Sequence, residues 1–168
     1  MKLAIYMDAA DMAYISRIKR LIGEDVSGVV ITKIPDYKFE IGKGVTLTKG
    51  NDVTIIATGM MVELALEAKE ELAKDGINAR VINIHTIKPI DKDLLINAAK
   101  ETGAIVTAEE HSIIGGLGSA VAEVVTEEYP VPVLKVGIKD TFGESGKPAQ
   151  LFAKYKIDAD AIVEACTK

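Results

Sequence analysis

The stretch VTIIATGMMVELALEAKEELAKDGINARVINIH, residues 53–85, decides the fold class. It opens with Val53-Thr54-Ile55-Ile56-Ala57, a run that is typical of a strand buried on both faces. Apolar side chains then recur at helical spacing, at Met61, Ala65, Ala68 and Leu72. Asp75-Gly76 ends that helix, and a second β-branched run follows at 80–85. Strand, helix and strand in this order predict a parallel βαβ unit.

The same alternation continues toward the C-terminus. Pro89 and Asp91 predict a helix through about residue 101, which Gly103 closes, and a strand follows at 104–108. The glycine-rich turn at 115–118 leads into another helix, and residues 131–138 predict a fourth parallel strand. Pro148 and Asp158 predict the starts of two last helices.

The first 35 residues form a separate pattern of predicted elements. They predict a strand at 3–6, a helix at 8–23 and a strand at 29–34, after which Pro35-Asp36-Tyr37 breaks the pattern. A strand–helix–strand unit of this size is too small to be a domain alone. We therefore expect a short unit at residues 1–35 and the main domain at residues 36–168.

Composition excludes several function classes. The chain has 168 residues and a net charge of −5, which argues against a non-specific nucleic-acid or anionic-membrane surface. No apolar run reaches the roughly 18 residues of a membrane span, and residues 1–7 are too short for a secretory signal. A single cysteine, Cys166, excludes an internal disulfide, and we interpret it as packing or exposed, not nucleophilic. We expect a soluble cytoplasmic protein without nucleic-acid or membrane partners.

Polar groups and glycines cluster where the predicted strands end. Ligands of parallel sheets bind at the carboxyl ends of strands, near the point where strand order reverses. If the first three predicted strands after residue 52 are neighbours, these groups line one crevice. The candidate ligand or interface residues are Thr58, Gly59, His85, Glu109, Glu110, His111, Gly116 and Gly118.

Two interpretations of the histidines stay open. His85, His111 and Glu109 can be imagined as a metal or general-base site. The pattern favours ordinary loop histidines that bond to backbone groups, because neither belongs to a helical His-x-x-x-His pair. We assign no catalytic, cofactor-binding or metal-binding residue.

The glycine-bearing loops also have two interpretations. Gly116-Leu117-Gly118 begins like a phosphate loop but lacks the third glycine, although amides at a helix start can accept an anion. The alternative, which we favour, is a tight turn that lets helix and sheet approach closely. The loop at 141–147 continues as Gly-Lys-Pro, which places no hydroxyl for Mg²⁺ and excludes a nucleotide-binding P-loop.

Five segments together carry a family resemblance. They cover roughly four-fifths of the chain, in order and without large gaps, and resemble the C-terminal domain of transketolases. Phe142-Gly143-Glu144-Ser145-Gly146-Lys147 favours transketolase over deoxyxylulose-phosphate synthase and the β subunits of 2-oxoacid dehydrogenases. The segments are YKFEIGKGVTL (37–47), DVTIIATGMMVELALEA (52–68), ARVINIHTIKPID (79–91), TGAIVTAEEHSIIGGLGSAVAEV (102–124) and GIKDTFGESGKPAQL (137–151).

The resemblance implies a fold. It is a three-layer α/β/α domain with a five-stranded, mixed, mostly parallel sheet, in which a strand around 45–47 runs antiparallel to the rest. Residues 1–35 resemble the end of a pyrimidine-binding domain. Lys156 stands where the family commonly has a glycine, so we expect that helix end to be mildly strained or differently shaped.

The resemblance also implies what this chain lacks. Transketolases use thiamine diphosphate and a divalent metal to move a two-carbon ketol unit between sugar phosphates. The family holds these groups with a Gly-Asp-Gly motif, a downstream Asn and a glutamate, and this chain has no Gly-Asp-Gly. We expect the C-terminal part of a transketolase that contributes an assembly or dimer interface, is not catalytic alone and binds no cofactor by itself. Its expected partner is a second copy or a separate chain carrying the thiamine-binding domains.

Other functions of the chain stay open. The chain can be a free-standing module that binds a small anion or a regulator, or the C-terminal domain of a related thiamine enzyme. It can also be a purely structural dimer.

Overall fold

The computed structural model describes residues 40–168, so the strand–helix–strand unit predicted for residues 1–35 lies outside the described residues. No helix in residues 40–168 is long and apolar enough to cross a membrane. Within this range the elements in chain order are β1 (Val45–Thr48), β2 (Val53–Ala57), α1 (Met61–Lys74), β3 (Ala79–Asn83), α2 (Lys92–Thr102), β4 (Ile105–Ser112), α3 (Leu117–Glu128), β5 (Val133–Ile138), α4 (Pro148–Tyr155) and α5 (Ala159–Cys166).

The strands form one five-stranded sheet in the order β1-β3-β2-β4-β5. β1 runs antiparallel to β3, and the other pairs are parallel. This confirms the expected mixed sheet and its antiparallel strand. All five residues of β2 are buried, as their uninterrupted apolar run predicts for a central parallel strand.

Helices cover both faces of the sheet. Side chains alternate along a strand, and Ile56, Ile82 and Ile105 pack with buried residues of α2 and α3. The alternate residues face α1 and α5, which pack against each other and against the sheet. The predicted stripe of α1 (Met61, Ala65, Ala68 and Leu72) is fully buried. The periodicity thus identified the core of this domain.

One buried carboxylate joins α2 to the segment that enters β1. Asp91 is 8% exposed, and its Oδ1 accepts a hydrogen bond from the Leu94 amide at 3.2 Å. Its Oδ2 accepts from the Gly44 amide at 3.1 Å, 47 residues away in sequence. Asp91 therefore caps the helix and also fixes the approach to the antiparallel strand.

The helix ends match their sequence signals. Gly103 ends α2 in the left-handed conformation, with φ +69°. Lys156 ends α4 with φ +53°, so the lysine at this position adopts the backbone conformation that glycine adopts most easily, as expected. Asp158 caps α5, with its Oδ1 accepting from the Ala161 amide at 3.0 Å.

One strand boundary was predicted wrongly. β4 continues four residues beyond Ala108 to Ser112, so Glu109, Glu110 and His111 lie within the strand and not after it. The extension is paired: Ser112 lies opposite Ile138 after an irregularity, and the Ile113 amide donates to the Ile138 carbonyl at 3.0 Å. Pairing with β5 overrides the low strand propensity of the acidic residues.

We predict that Asp91→Ala lowers the free energy of unfolding by about 1–2 kcal/mol, because two backbone amides lose their acceptor. Urea denaturation followed by circular dichroism measures the change. The matched control is Asp93→Ala, at an exposed position in the first turn of the same helix. It should cost less than about 0.5 kcal/mol, and equal costs for the two variants would contradict the assigned role of Asp91.

Candidate functional site

The predicted strand ends do meet at one edge of the sheet. β2 lies between β3 and β4, which satisfies the condition for a shared edge. The Thr58 amide donates to the Ala108 carbonyl at 3.2 Å, and the Ile84 amide donates to the Ala57 carbonyl at 2.9 Å. The strand order also reverses at β2, since β3 lies on one side of it and β4 on the other.

Five of the eight candidate residues form two groups there, on opposite faces of the sheet. Glu109 and Glu110 are consecutive in β4, so their side chains point to opposite faces. Glu109 meets Gly116 and Gly118 on the face that α3 covers, while Glu110 meets Gly59 at the start of α1. The two groups therefore flank the carboxyl edge of the sheet from its two faces. Whether either group binds a ligand stays a prediction.

Glu109 closes the amino end of α3. Its side chain is almost completely buried, at 1% exposure. Oε2 accepts from the Leu117 amide at 2.7 Å, and Oε1 accepts from the Gly118 amide at 2.8 Å. Gly116 at the N-cap has no side chain of its own to do this. The carboxylate thus satisfies two free amides and places negative charge at the positive end of the helix dipole.

The two glycines make this contact possible. A Cβ atom at Gly116 would collide with Glu109 Oε2. A Cβ atom at Gly118 would lie 2.7 Å from Thr107 Oγ1 and 2.9 Å from Lys135 Cδ. These distances confirm the tight turn that lets helix and sheet approach closely. An external anion would have to displace the Glu109 carboxylate to reach the Leu117 and Gly118 amides.

The second group lies at the turn from β2 to α1. Gly59 has φ +57°, and a Cβ atom there would lie 2.5 Å from Glu110 Oε1. Glu110 Oε2 is buried and has no hydrogen-bond partner within residues 40–168. Gly59 is therefore required both for its backbone conformation and for the space that Glu110 occupies.

The histidines do not assemble into a metal centre. His85 Nδ1 lies 2.9 Å from Thr86 Oγ1, and burial lowers the pKa of His85 below its ordinary value, which favours the neutral ring at pH 7. His111 is exposed, and the Glu109 carboxylate already accepts a hydrogen bond from the first amide of α3. No group of three His, Cys, Asp or Glu side chains in residues 40–168 is arranged to hold a metal ion.

Cys166 is a partly buried, free thiol. Burial raises the pKa of its thiol to about 12, so the nucleophilic thiolate is scarce. This agrees with the interpretation of Cys166 as a packing or exposed residue and not a nucleophile.

Comparison with known proteins identifies the family. A family model for the transketolase C-terminal domain matches residues 42–162. This chain belongs to that family. The match covers Glu109, Glu110, the glycine-rich turn at 115–118 and the loop at 139–147. The domain described above is therefore the transketolase C-terminal domain.

Several curated relatives are similar over nearly the same region. The chain is 52% identical over 128 residues to the 6-deoxy-6-sulfo-D-fructose transketolase subunit SqwH of Clostridium sp. (strain MSTE9), covering 76% of this chain and 40% of the relative. It is 47% identical over 127 residues to a putative transketolase C-terminal section of Methanocaldococcus jannaschii, covering 75% and 39%. It is also 47% identical over 127 residues to 1-deoxy-D-xylulose-5-phosphate synthase 1 of Geobacter sulfurreducens, covering 74% and 20%. The chain thus spans 40% or less of the length of these relatives.

Solved structures agree with this fold. One described as a split gene transketolase, an inactive beta4 tetramer, is 55% identical to this chain, with a TM-score of 0.77. The match covers 80% of this chain and 44% of that one. The transketolase of Campylobacter jejuni is 21% identical with a TM-score of 0.57, which supports the fold alone.

The transketolase family implies thiamine diphosphate as a cofactor, so the described residues can be tested against that group. A diphosphate needs donors and a divalent cation, whereas the most suitable helix start here is filled by the Glu109 carboxylate. Residues 40–168 also offer no set of metal ligands. The described residues therefore do not fit the cofactor. That the chain alone binds no cofactor stays a prediction.

Sequence reasoning placed Glu109 among the candidates but missed its role as a cap. An N-cap residue is normally recognised because it directly precedes its helix. Glu109 lies eight residues before Leu117, and only the fold of β4 against α3 brings the two together. The glycines at 116 and 118 were the usable signal, because they mark a close approach of helix and sheet.

We predict that Glu109→Ala lowers the free energy of unfolding by about 2–3 kcal/mol, because it leaves two buried amides without an acceptor. Glu109→Gln should cost less, since its amide oxygen can still accept one of the two hydrogen bonds. Urea denaturation of the full chain measures both changes.

The matched control is Glu123→Ala, an exposed glutamate on α3. It should change stability by less than about 0.5 kcal/mol. If Glu109→Ala costs no more than Glu123→Ala, the capping role of Glu109 is wrong.

Proposed function

We propose that this chain serves as the C-terminal section of a cytoplasmic, thiamine diphosphate-dependent transketolase, and that it stabilises the assembly while other domains hold the cofactor. The complete enzyme would move a two-carbon ketol unit between sugar phosphates. The observation that carries the proposal is the 52% identity to a transketolase subunit over 76% of this chain.

The internal contacts of the domain support a structural role. One of the two candidate glutamates of β4, Glu109, is buried and accepts hydrogen bonds from two backbone amides of its own chain. His85 bonds to its neighbour Thr86, and Cys166 is held as a thiol. Side chains committed in this way support the fold and leave ketol transfer to residues elsewhere in the complete enzyme.

The proposed partner is a separate chain that carries the thiamine-binding domains. Two relatives are named as a transketolase subunit or C-terminal section, and a 55% identical protein is described as a split gene transketolase. These names support a division of the enzyme between chains. Within the assembly we also propose contact between two copies of this chain.

A second candidate function has specific support. The identity to a 1-deoxy-D-xylulose-5-phosphate synthase equals that to the archaeal transketolase section. The two candidates share the same domain and differ in the reaction of the complete enzyme. Product analysis therefore has to separate them.

The test mixes the purified full chain with a chain from the same source that carries the Gly-Asp-Gly motif and the pyrimidine-domain glutamate. With thiamine diphosphate and Mg²⁺ present, we expect ketol transfer from a ketose phosphate to an aldose phosphate only in the mixture. Mass spectrometry of the products distinguishes ketol transfer from formation of 1-deoxy-D-xylulose 5-phosphate.

Two further measurements complete the design. Glu123→Ala should support the same activity as the unchanged chain, because its side chain is exposed on α3 away from the carboxyl edge. Isothermal titration of the chain alone with thiamine diphosphate and Mg²⁺ should show no binding. Stoichiometric binding in that titration, or an inactive mixture, would refute the proposed division of labour.

A further inference from the structure

The two neighbouring glutamates of β4 differ in how the fold satisfies them. Both oxygens of the Glu109 carboxylate accept a hydrogen bond from a backbone amide, at 2.7 and 2.8 Å. On the opposite face of the sheet, Glu110 Oε2 is also buried, but no group in residues 40–168 donates a hydrogen bond to it. A buried carboxylate oxygen without a donor costs free energy on folding, because water no longer solvates it. The charge of Glu110 therefore does not stabilise the domain by itself.

The part of the chain that the structure describes also provides no counter-ion for Glu110. Residues 58–68, at the start of α1, carry the exposed Glu63 and Glu67 and no lysine or arginine. Glu110 thus lies at a negatively charged surface. The lysine and arginine ion pairs of residues 40–168 go to other carboxylates, those of Glu71, Asp91, Glu101, Glu144 and Glu164.

The backbone leaves space for this carboxylate. Gly59 has φ +57°, and a Cβ atom there would lie 2.5 Å from Glu110 Oε1 and 3.0 Å from Oε2. Any other residue at position 59 would press against the carboxylate and strain the backbone. Glu110 as a whole is only half-buried, so a donor can approach it from outside the domain. The fold therefore keeps an acceptor group at its surface and leaves it without a donor.

We propose that Glu110 receives a lysine or arginine side chain of the chain that carries the thiamine-binding domains. An ionised carboxylate only accepts hydrogen bonds, and a cationic side chain supplies both the missing donor and the missing opposite charge. The inference rests on the proposed function, and it assigns one residue and one charge to the contact between the two chains.

Charge also distinguishes the groups that could occupy this position. A second copy has the same net charge of −5, and a two-fold contact would bring its own Glu63 and Glu67 toward the same acidic surface. A metal ion needs several ligands, and residues 40–168 contain no group of three suitable side chains. A basic surface on a different chain meets neither objection.

The first test measures the affinity of the full chain for the chain with the Gly-Asp-Gly motif by isothermal titration calorimetry. Glu110→Gln keeps the shape of the side chain and removes its charge. It should raise the dissociation constant by about tenfold or more, and added salt should weaken its complex less than the unchanged one. Glu63→Gln is the matched control, because Glu63 is exposed in the first turn of α1. It should change the dissociation constant by less than about threefold.

The second test separates a contact role from a structural role, in the full chain alone. Glu110→Gln should leave the melting temperature unchanged or raise it, because the charge that it removes has no donor within the domain. Glu109→Gln should lower the melting temperature, because it loses one of its two hydrogen bonds to amides. A melting temperature that Glu110→Gln lowers as much would assign Glu110 to the fold and overturn the inference.

The outcomes of the binding test are distinct. An unchanged affinity of Glu110→Gln, or an equal loss with Glu63→Gln, would overturn this inference and leave the proposed function standing. If Glu110→Gln weakens self-association of the chain but not its binding to the partner chain, the occupant is a second copy and the inference is wrong. An unchanged chain that does not bind the partner chain at all would refute the proposed function together with this inference.

Discussion

The buried carboxylate of Glu109 sets the geometry of the carboxyl edge of the sheet. Its two hydrogen bonds, 2.7 and 2.8 Å long, fix the start of α3 against β4 and occupy the amides that an anion would use. The close approach needs glycine at 116 and 118, because a Cβ at either position would collide with Glu109 or with Thr107. One charge–dipole contact therefore explains the glycines at 116 and 118 and satisfies the Leu117 and Gly118 amides.

Much of the fold could be predicted from the sequence because its signals are local. The run at 53–57 predicted a strand buried on both faces, and the spacing of Met61, Ala65, Ala68 and Leu72 predicted the buried stripe of α1. Asp91 and Asp158 marked helix starts, and Gly103 marked a helix end. Each of these signals acts within a few residues of the structure it specifies. The family resemblance added the antiparallel strand β1, which the composition of residues 45–48 left uncertain.

The end of β4 and the arrangement of the candidate site depend on contacts between residues distant in sequence. β4 continues through Glu109, Glu110 and His111 because β5 pairs with it, and the residues themselves indicate a loop. The extension decides the site, since alternation along a strand sends Glu109 and Glu110 to opposite faces. Glu109 consequently meets the start of α3, and Glu110 meets the start of α1. The exposure of Phe142 could not be foreseen either, because an isolated phenylalanine in a loop is as compatible with burial.

These features describe a domain in which the buried carboxylates of Asp91 and Glu109 support its own fold. The central claim is that Glu109 closes the start of α3, which supports our proposal of a structural section over an anion-binding module. The most direct measurement is an NMR titration that follows the Leu117 and Gly118 amides while inorganic phosphate is added to the full chain. The account predicts slow hydrogen exchange at both amides and no phosphate-dependent change in their chemical shifts. A saturable shift of these two amides with phosphate would contradict it.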